Sequence, residues 1–190
     1  MRKDKFVIAF DCDDVLIDLL EYWVYWLNQA YHLNVKREDI TDWDISLFFP
    51  SLTEEEIFEP LYSPNFWYGV KGKPNVKETI EYQKYRGHQV VVATASDIST
   101  ISYKINNCLF RLYDCFDKDD IIVIKDKSLL NADVLIDDNP DNFNGFKGIR
   151  ILMDSPHNQD PPPYSFDYRV KDIKEVSQII MYHEPHYIRY

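Results

Sequence analysis

Three carboxylates follow the first apolar run of the chain. Asp11, Asp13 and Asp14 come directly after residues 6–10, whose sequence is FVIAF. A continuous apolar run of this length is typical of a strand buried on both faces of a parallel sheet. A D-x-D pair on its own is more often a solvated acidic turn. Carboxylates gathered directly after a buried strand repel one another, however, and a divalent cation relieves that repulsion.

Hydroxyl and cationic side chains follow the next two apolar runs. Residues 94–96 (TAS) end one run, and Lys127 comes shortly after the other. A hydroxyl and backbone N–H groups can hold phosphoryl oxygens, which a lysine can neutralise. The ordinary alternatives are that Ser96 or Asp97 caps the following helix and that the lysine is solvated.

A second acidic pair ends another buried run. Asp137 and Asp138 come directly after residues 134–136 (VLI). Adjacent acids at the end of a buried strand are destabilising unless a cation lies nearby. Because ligands bind beyond the carboxyl ends of strands in open α/β sheets, we expect these loops to meet around one site.

The elements that must position these residues alternate along the chain. Apolar runs typical of strands are separated by segments with helical spacing, which predicts an α/β fold with a mostly parallel, Rossmann-like sheet. Residues 15–73 interrupt the alternation with many aromatic residues and prolines, and we interpret them as an inserted helical cap. The core is then 1–14 and 74–190. Strands are predicted at 6–10, 89–93, 121–124, 134–136, 149–152 and 168–170, and helices at 15–31, 76–86, 98–113 and 173–181.

Composition narrows the class of function. The chain has 190 residues, 45% of them hydrophobic, and a net charge of -11. Such an acidic protein is a poor partner for duplex nucleic acid or an anionic membrane. Three cysteines without a C-x-x-C pair suggest free thiols in a reducing cytoplasm, and no apolar run is long enough for a signal peptide or a membrane span.

The order and spacing of these motifs resemble a known superfamily. The chain is similar to haloacid dehalogenase phosphatases and, within them, to the 5'(3')-deoxyribonucleotidase family of the cytosolic type C group. This resemblance covers nearly the whole chain. It rests on residues 10–16 (FDCDDVL), 92–96 (VATAS), 126–128 (DKS), 135–141 (LIDDNPD) and 156–158 (PHN).

The resemblance implies roles for the reactive residues. Asp11 would attack phosphorus and form an aspartyl-phosphate, which splits a slow hydrolysis into two steps. Asp13 would protonate the leaving oxygen and then activate water. Thr94 and Lys127 would neutralise the transferring phosphoryl group.

The resemblance also implies Mg²⁺ as the cofactor. Its expected ligands are Asp11, the backbone carbonyl of Asp13 and one later acid, for which Asp138 is favoured over Asp137. Oxygen ligands together with retained waters suit this ion.

Two positions depart from the family pattern. Asp14 stands where the family usually has glycine, and Leu19 stands where it has an aromatic residue that packs on the nucleobase. Trp43, Phe49 and Trp67 lie near breaks in the cap, where a base could stack against them. The predicted substrate-binding residues are Asp13, Leu19, Trp43, Phe49, Trp67, Thr94, Ala95, Ser96 and Lys127.

Three hypotheses for the function remain open at this point. The first is a magnesium-dependent nucleotidase that removes phosphate from deoxyribonucleoside monophosphates. The second is a phosphatase of the same superfamily that acts on another small phosphate ester. The third is a catalytically silent module that binds a partner through its aromatic cap. The sequence also leaves open whether the chain forms a homodimer.

Overall fold

Six parallel strands form the centre of the molecule. The structure is a computed structural model that describes residues 5–162 and 165–184. The strands lie side by side in the order β3-β2-β1-β4-β5-β6. They are β1 (Val7–Phe10), β2 (Gln89–Thr94), β3 (Ile121–Val123), β4 (Val134–Asp137), β5 (Ile149–Met153) and β6 (Tyr168–Val170).

The register of the sheet aligns the strand ends that carry the reactive residues. Phe10, the last residue of β1, pairs with Val92 on one side and with Ile136 on the other. Asp11 continues this alignment, since its N–H donates to the carbonyl oxygen of Ile136 at 2.8 Å. The chain after β1 therefore leaves the sheet between the ends of β2 and β4.

Helices, turns and loops cover the sheet, and the central strands β1, β2 and β4 are buried along most of their length. Alternate side chains of β1 point to opposite faces, so that Ile8 and Phe10 join one apolar cluster and Ala9 joins another. The helices are α1 (Leu19–Tyr31), α2 (Glu54–Phe58), α3 (Pro64–Gly69), α4 (Val76–Tyr85), α5 (Ile101–Tyr103), α6 (Phe110–Leu112) and α7 (Glu175–His183). A π-helical segment, Lys104–Leu109, joins α5 to α6.

The segment between β1 and α4 leaves and re-enters the core through two paired connections. Ile17 on the outgoing connection forms an antiparallel bridge with Gly72 on the returning one. The Asp18 N–H donates to the Lys71 carbonyl at 2.9 Å. Beyond this crossing the segment has an apolar cluster of its own, formed by Leu20, Val24, Leu27, Ile40, Ile45, Phe49 and Ile57.

The predicted fold class is confirmed, and the main differences concern where helices begin. The helix predicted from residue 15 begins at Leu19, because the chain first turns at Asp14, whose φ is 52°. The helix predicted from residue 98 begins at Ile101, after a turn in which Asp97 Oδ1 accepts from the Ser99 N–H at 2.8 Å. The predicted core also includes residues 1–4, 163–164 and 185–190, which lie outside the described residues.

The described helices also bear on the membrane prediction. None of those within residues 5–162 and 165–184 is long and apolar enough to cross a bilayer.

Candidate active site

Asp11 lies at the end of β1 in direct contact with a buried lysine. Lys127 Nζ donates to Asp11 Oδ1 and to Asp137 Oδ2, and so joins the ends of β1 and β4. The lysine begins a 3₁₀ turn whose N-cap, Asp126, accepts from the Ser128 N–H at 3.0 Å. Burial disfavours the charge of Lys127, but the facing carboxylates of Asp11 and Asp137 raise its pKa above the ordinary value. The lysine is therefore held as a cation at the centre of the site.

An acidic triad suited to a metal lies at the same edge. Asp11, Asp137 and Asp138 are buried, and each offers a carboxylate oxygen within 4.8 Å of the others. Oxygens that bind one Mg²⁺ at about 2.1 Å are at most about 4.2 Å apart, so that small movements bring this donor set to the required geometry. Hard oxygen donors of this kind fit Mg²⁺.

Burial and mutual repulsion raise the pKa values of the two later acids. Burial and the charge of Asp11 raise the pKa of Asp137 to about 7. Burial, followed by the charges of Asp14 and Asp11, raises the pKa of Asp138 well above its usual value. A bound cation would lower both pKa values, since it favours the ionised carboxylates.

Hydrogen bonds fix the orientation of Asp137. Its Oδ1 accepts from the Asn139 N–H and from Asn142 Nδ2, both at 2.9 Å.

Two residues of the 156–158 motif hold Asp138. Its Oδ2 lies 2.9 Å from His157 Nε2, and its carbonyl oxygen accepts from Asn158 Nδ2 at 2.7 Å. Asn158 also donates to the Met153 carbonyl at 2.8 Å and thereby ties the loop to β5. Asn158 therefore holds the backbone of the loop, whereas His157 reaches the site itself.

Asp13 contacts a second buried lysine that the sequence analysis missed. Lys104 is 2% exposed, and its Nζ lies 2.5 Å from Asp13 Oδ2. The same ammonium donates to Thr94 Oγ1 and to the Ala95 carbonyl, both at 3.3 Å. Burial raises the pKa of Asp13, and the charge of Lys104 partly offsets the rise. A carboxyl group in this environment is suited to carry a proton.

A cavity of about 280 Å³ opens above these residues. The reactive residues Asp11, Asp13, Lys127 and Asp138 line its floor together with Ala95. Side chains of the 15–73 segment form the other wall, which is largely apolar: Leu19, Leu20, Trp23, Ile40, Ile45 and Phe58, with Asp42 and Trp43.

The structure separates the three aromatic residues predicted to stack on a base. Trp43 lines the cavity, is 47% exposed and lies 4.2 Å from the His157 ring, measured between ring centroids. Phe49 and Trp67 are each 1% exposed and are absent from the cavity wall. Phe49 belongs to the apolar cluster of the 15–73 segment, and the Trp67 ring lies 5.7 Å from Lys104 Nζ. Both have packing roles here.

The remaining predicted substrate-binding residues differ in whether they line the cavity. Leu19 and Ala95 line the cavity, whereas Ser96 does not. Thr94 is buried, is absent from the cavity wall and contacts Lys104.

Comparison with known proteins agrees with this geometry. A family model described as "5' nucleotidase, deoxy (Pyrimidine), cytosolic type C protein" matches residues 5–184. The chain belongs to this family. It is therefore an enzyme, a phosphoric monoester hydrolase of the 5'-nucleotidase type, and the resemblance inferred from the motifs is confirmed.

Two curated relatives of the family are similar over most of the chain. A 5'(3')-deoxyribonucleotidase of Bacillus subtilis is 30% identical over 157 residues, which cover 82% of this chain and 88% of the relative. A 5'(3')-deoxyribonucleotidase of Clostridium acetobutylicum is 28% identical over 160 residues, which cover 82% of this chain and 86% of the relative.

Solved structures show the same fold at low sequence identity. A haloacid dehalogenase-like hydrolase from Streptococcus pneumoniae superposes with a TM-score of 0.63 at 15% identity and covers 93% of this chain and 99% of its own. A haloacid dehalogenase family hydrolase from Deinococcus radiodurans, solved with bound phosphate and sodium, gives a TM-score of 0.61 at 12% identity and covers 95% of this chain and 96% of its own. At this identity the likeness concerns the fold alone.

Proposed function

We propose that this nucleotidase hydrolyses deoxyribonucleoside monophosphates with Mg²⁺, through a phosphoryl group carried transiently on Asp11. The observation that carries the proposal is the position of Asp11. Its carboxylate is held by Lys127 next to Asp138, on the floor of a cavity of about 280 Å³. The names of the curated relatives support the substrate class.

The proposed chemistry begins at Asp11. Its carboxylate attacks phosphorus, the bond to the leaving oxygen breaks, and Lys127 stabilises the negative charge beside the nucleophile. Asp11, Asp138 and the Asp13 carbonyl would hold the metal, with Asp137 kept in place by Lys127. When bound, Mg²⁺ neutralises the charge that the phosphoryl oxygens share with the acidic triad.

Asp13 is proposed to move the proton. It donates to the leaving oxygen in the first step. In the second step it takes a proton from water, which attacks phosphorus while the bond to the Asp11 carboxylate breaks and inorganic phosphate leaves. Lys104 holds the carboxyl group through Oδ2, 2.5 Å from Nζ, while Oδ1 is buried without a hydrogen-bond partner among the described residues. We infer that Lys104 keeps this carboxyl group in place while it exchanges the proton.

The cavity wall formed by residues 15–73 is proposed to select the substrate. In this proposal residues 15–73 are the cap, and residues 1–14 and 74–190 form the phosphatase core. The apolar side chains of Leu19, Ile45 and Phe58 suit the faces of a base, and Trp43 offers a surface for stacking. We also propose a cytoplasmic location, supported by Cys12, Cys108 and Cys115, which are all free thiols.

A second substrate class has an observation in its favour. Two of the three predicted stacking residues are buried, and Leu19 replaces the family's aromatic residue, so that the cavity offers fewer rings than expected. A different small phosphate ester is therefore the alternative candidate. Membership of an enzyme family weighs against the silent binding module.

A panel of phosphate esters tests the proposed function. We expect kcat/KM to be highest for deoxyribonucleoside monophosphates, lower for the matching ribonucleotides and lowest for sugar phosphates. A chelator should abolish turnover, and added Mg²⁺ should restore it. Faster hydrolysis of sugar phosphates than of every deoxynucleotide would replace the first candidate by the second.

A further inference from the structure

Asp14 places an additional carboxylate beside the proposed phosphate site. It lines the same cavity as Asp11 and Asp138, and its side chain is 8% exposed. A fixed negative charge there repels a phosphate dianion, and the repulsion is strong where water is excluded. The nucleotidase must therefore offset this charge if it is to bind its substrate well.

One oxygen of Asp14 serves the fold. Oδ2 accepts from the Leu20 N–H at 3.2 Å, at the first turn of α1. A carboxylate at a helix N-terminus satisfies a backbone donor and interacts favourably with the helix dipole. This contact explains why the side chain turns towards the 15–73 segment, but it leaves Oδ1 directed elsewhere.

The other oxygen faces an arginine of the 15–73 segment. Arg37 Nη2 lies 3.6 Å from Asp14 Oδ1 and donates to Ser155 Oγ at 3.4 Å. Arg37 Nε and Asp14 Oδ1 are both buried without a hydrogen-bond partner among the described residues. Lys73 is a further cation whose charge acts on Asp14, but its Nζ pairs with Asp18 at 3.0 Å. Among the residues that the structure describes, Arg37 is therefore the cation within ion-pair distance of Asp14, across the boundary between the two parts of the molecule.

We propose that Arg37 is a positioning residue whose charge offsets Asp14 next to the phosphate site and holds the 15–73 segment against the sheet. This inference rests on the proposed function for the identity of the anion. Removing one partner of a buried ion pair leaves an uncompensated charge, whereas removing both is often nearly neutral. Arg37 should consequently matter only while residue 14 carries a negative charge.

A double-mutant cycle tests this dependence with the magnesium-loaded protein. The variants are Arg37→Met, Asp14→Gly and the double variant, and glycine suits the positive φ of 52° at position 14. The readouts are the dissociation constant of inorganic phosphate and the separate values of KM and kcat. We expect Arg37→Met alone to weaken phosphate binding and to raise KM by about tenfold, with kcat changed by less than about threefold. In the glycine background the same substitution should change phosphate binding by less than about twofold.

Two further variants distinguish charge from shape. Asp14→Asn keeps the shape of the side chain and removes its charge, so Arg37→Met should be nearly harmless in that background as well. Arg37→Lys keeps the charge and should retain most of the phosphate affinity. Arg37→Gln, which removes the charge and keeps a polar side chain, replaces Arg37→Met if thermal melting shows that the methionine variant is unfolded.

Equal losses from Arg37→Met in the aspartate and glycine backgrounds would overturn the inference, and so would no loss in either. The proposed function can fail independently. If the wild type hydrolyses another phosphate ester but no deoxynucleotide, the substrate assignment is wrong, and the same cycle measured with inorganic phosphate and that ester still decides the role of Arg37.

Discussion

The two walls of the cavity differ in how directly the nearby sequence determines their structure. On the sheet side, Asp11, Lys127 and Asp138 each follow a strand within a few residues, and parallel pairing alone brings them to one edge. On the 15–73 side, Trp43 and Phe58 line one cavity only because short helices and turns pack on one another. Reactive groups thus follow directly from strand ends, whereas groups proposed to choose the substrate depend on irregular packing. This comparison predicts that substitutions on the sheet side affect the chemical step and that those on the other side affect stability or affinity.

The largest effect should come from Asp11→Asn. Asparagine keeps the shape of the side chain but lacks the anionic oxygen that attacks phosphorus, so that kcat should fall by about 10⁴-fold or more. The measurement is single-turnover hydrolysis of a deoxynucleotide with Mg²⁺ present. Asp114→Asn is the control, because that exposed carboxyl pairs with Lys77 at the surface and should leave kcat unchanged. Full activity in the Asp11 variant would contradict the proposed nucleophile.

Phe49→Ala should instead show that part of the aromatic cap is structural. Phe49 is 1% exposed within the apolar cluster of the 15–73 segment, and its truncation should destabilise the protein by about 3–5 kcal/mol. Urea unfolding measures the change. Leu47→Ala is the control from the same turn, since Leu47 is 60% exposed and should change stability little. A selective loss of nucleotide affinity at unchanged stability would restore the original base-stacking prediction for Phe49.

Lys104→Met tests the sheet side at the proton-transfer step. Loss of the contact with Asp13 should lower kcat/KM for a deoxynucleotide by about 10²–10³-fold, because its alkoxide leaving group needs protonation. For p-nitrophenyl phosphate, whose leaving group needs no proton, kcat/KM should fall far less, while kcat should fall for both esters because they share the second step. Lys77→Met is the control, as its ammonium pairs with Asp114 at the surface. Equal losses of kcat/KM for the two esters would argue against a role through Asp13.

The same contrast explains which features the sequence could predict. Continuous apolar runs identify buried parallel strands, and the residues after them are therefore placed by the sheet. Lys104 escaped notice because a lysine in a helical segment is usually solvated. Its one signal was the spacing of four residues to Cys108, which puts it on the buried face. The sequence left the places of Phe49 and Trp67 open for a related reason, since an aromatic residue near a proline or glycine can fill either a small core or a binding slot.

Trp43→Ala should give the smallest effect and separates the two walls most directly. Of the three predicted stacking residues, Trp43 is the one that lines the cavity. Stacking of a base on an aromatic side chain contributes about 1–3 kcal/mol to binding. We expect KM for deoxynucleotides to rise by about tenfold with little change in kcat, and no rise for a phosphate ester without a base. Tyr68→Ala removes a similarly exposed ring outside the cavity wall and should leave KM unchanged. Trp43→Ala could instead lower kcat for both kinds of ester. Trp43 would then act through its contact with His157, which in turn contacts Asp138. In that case the division between a reactive wall and a selective wall would not hold.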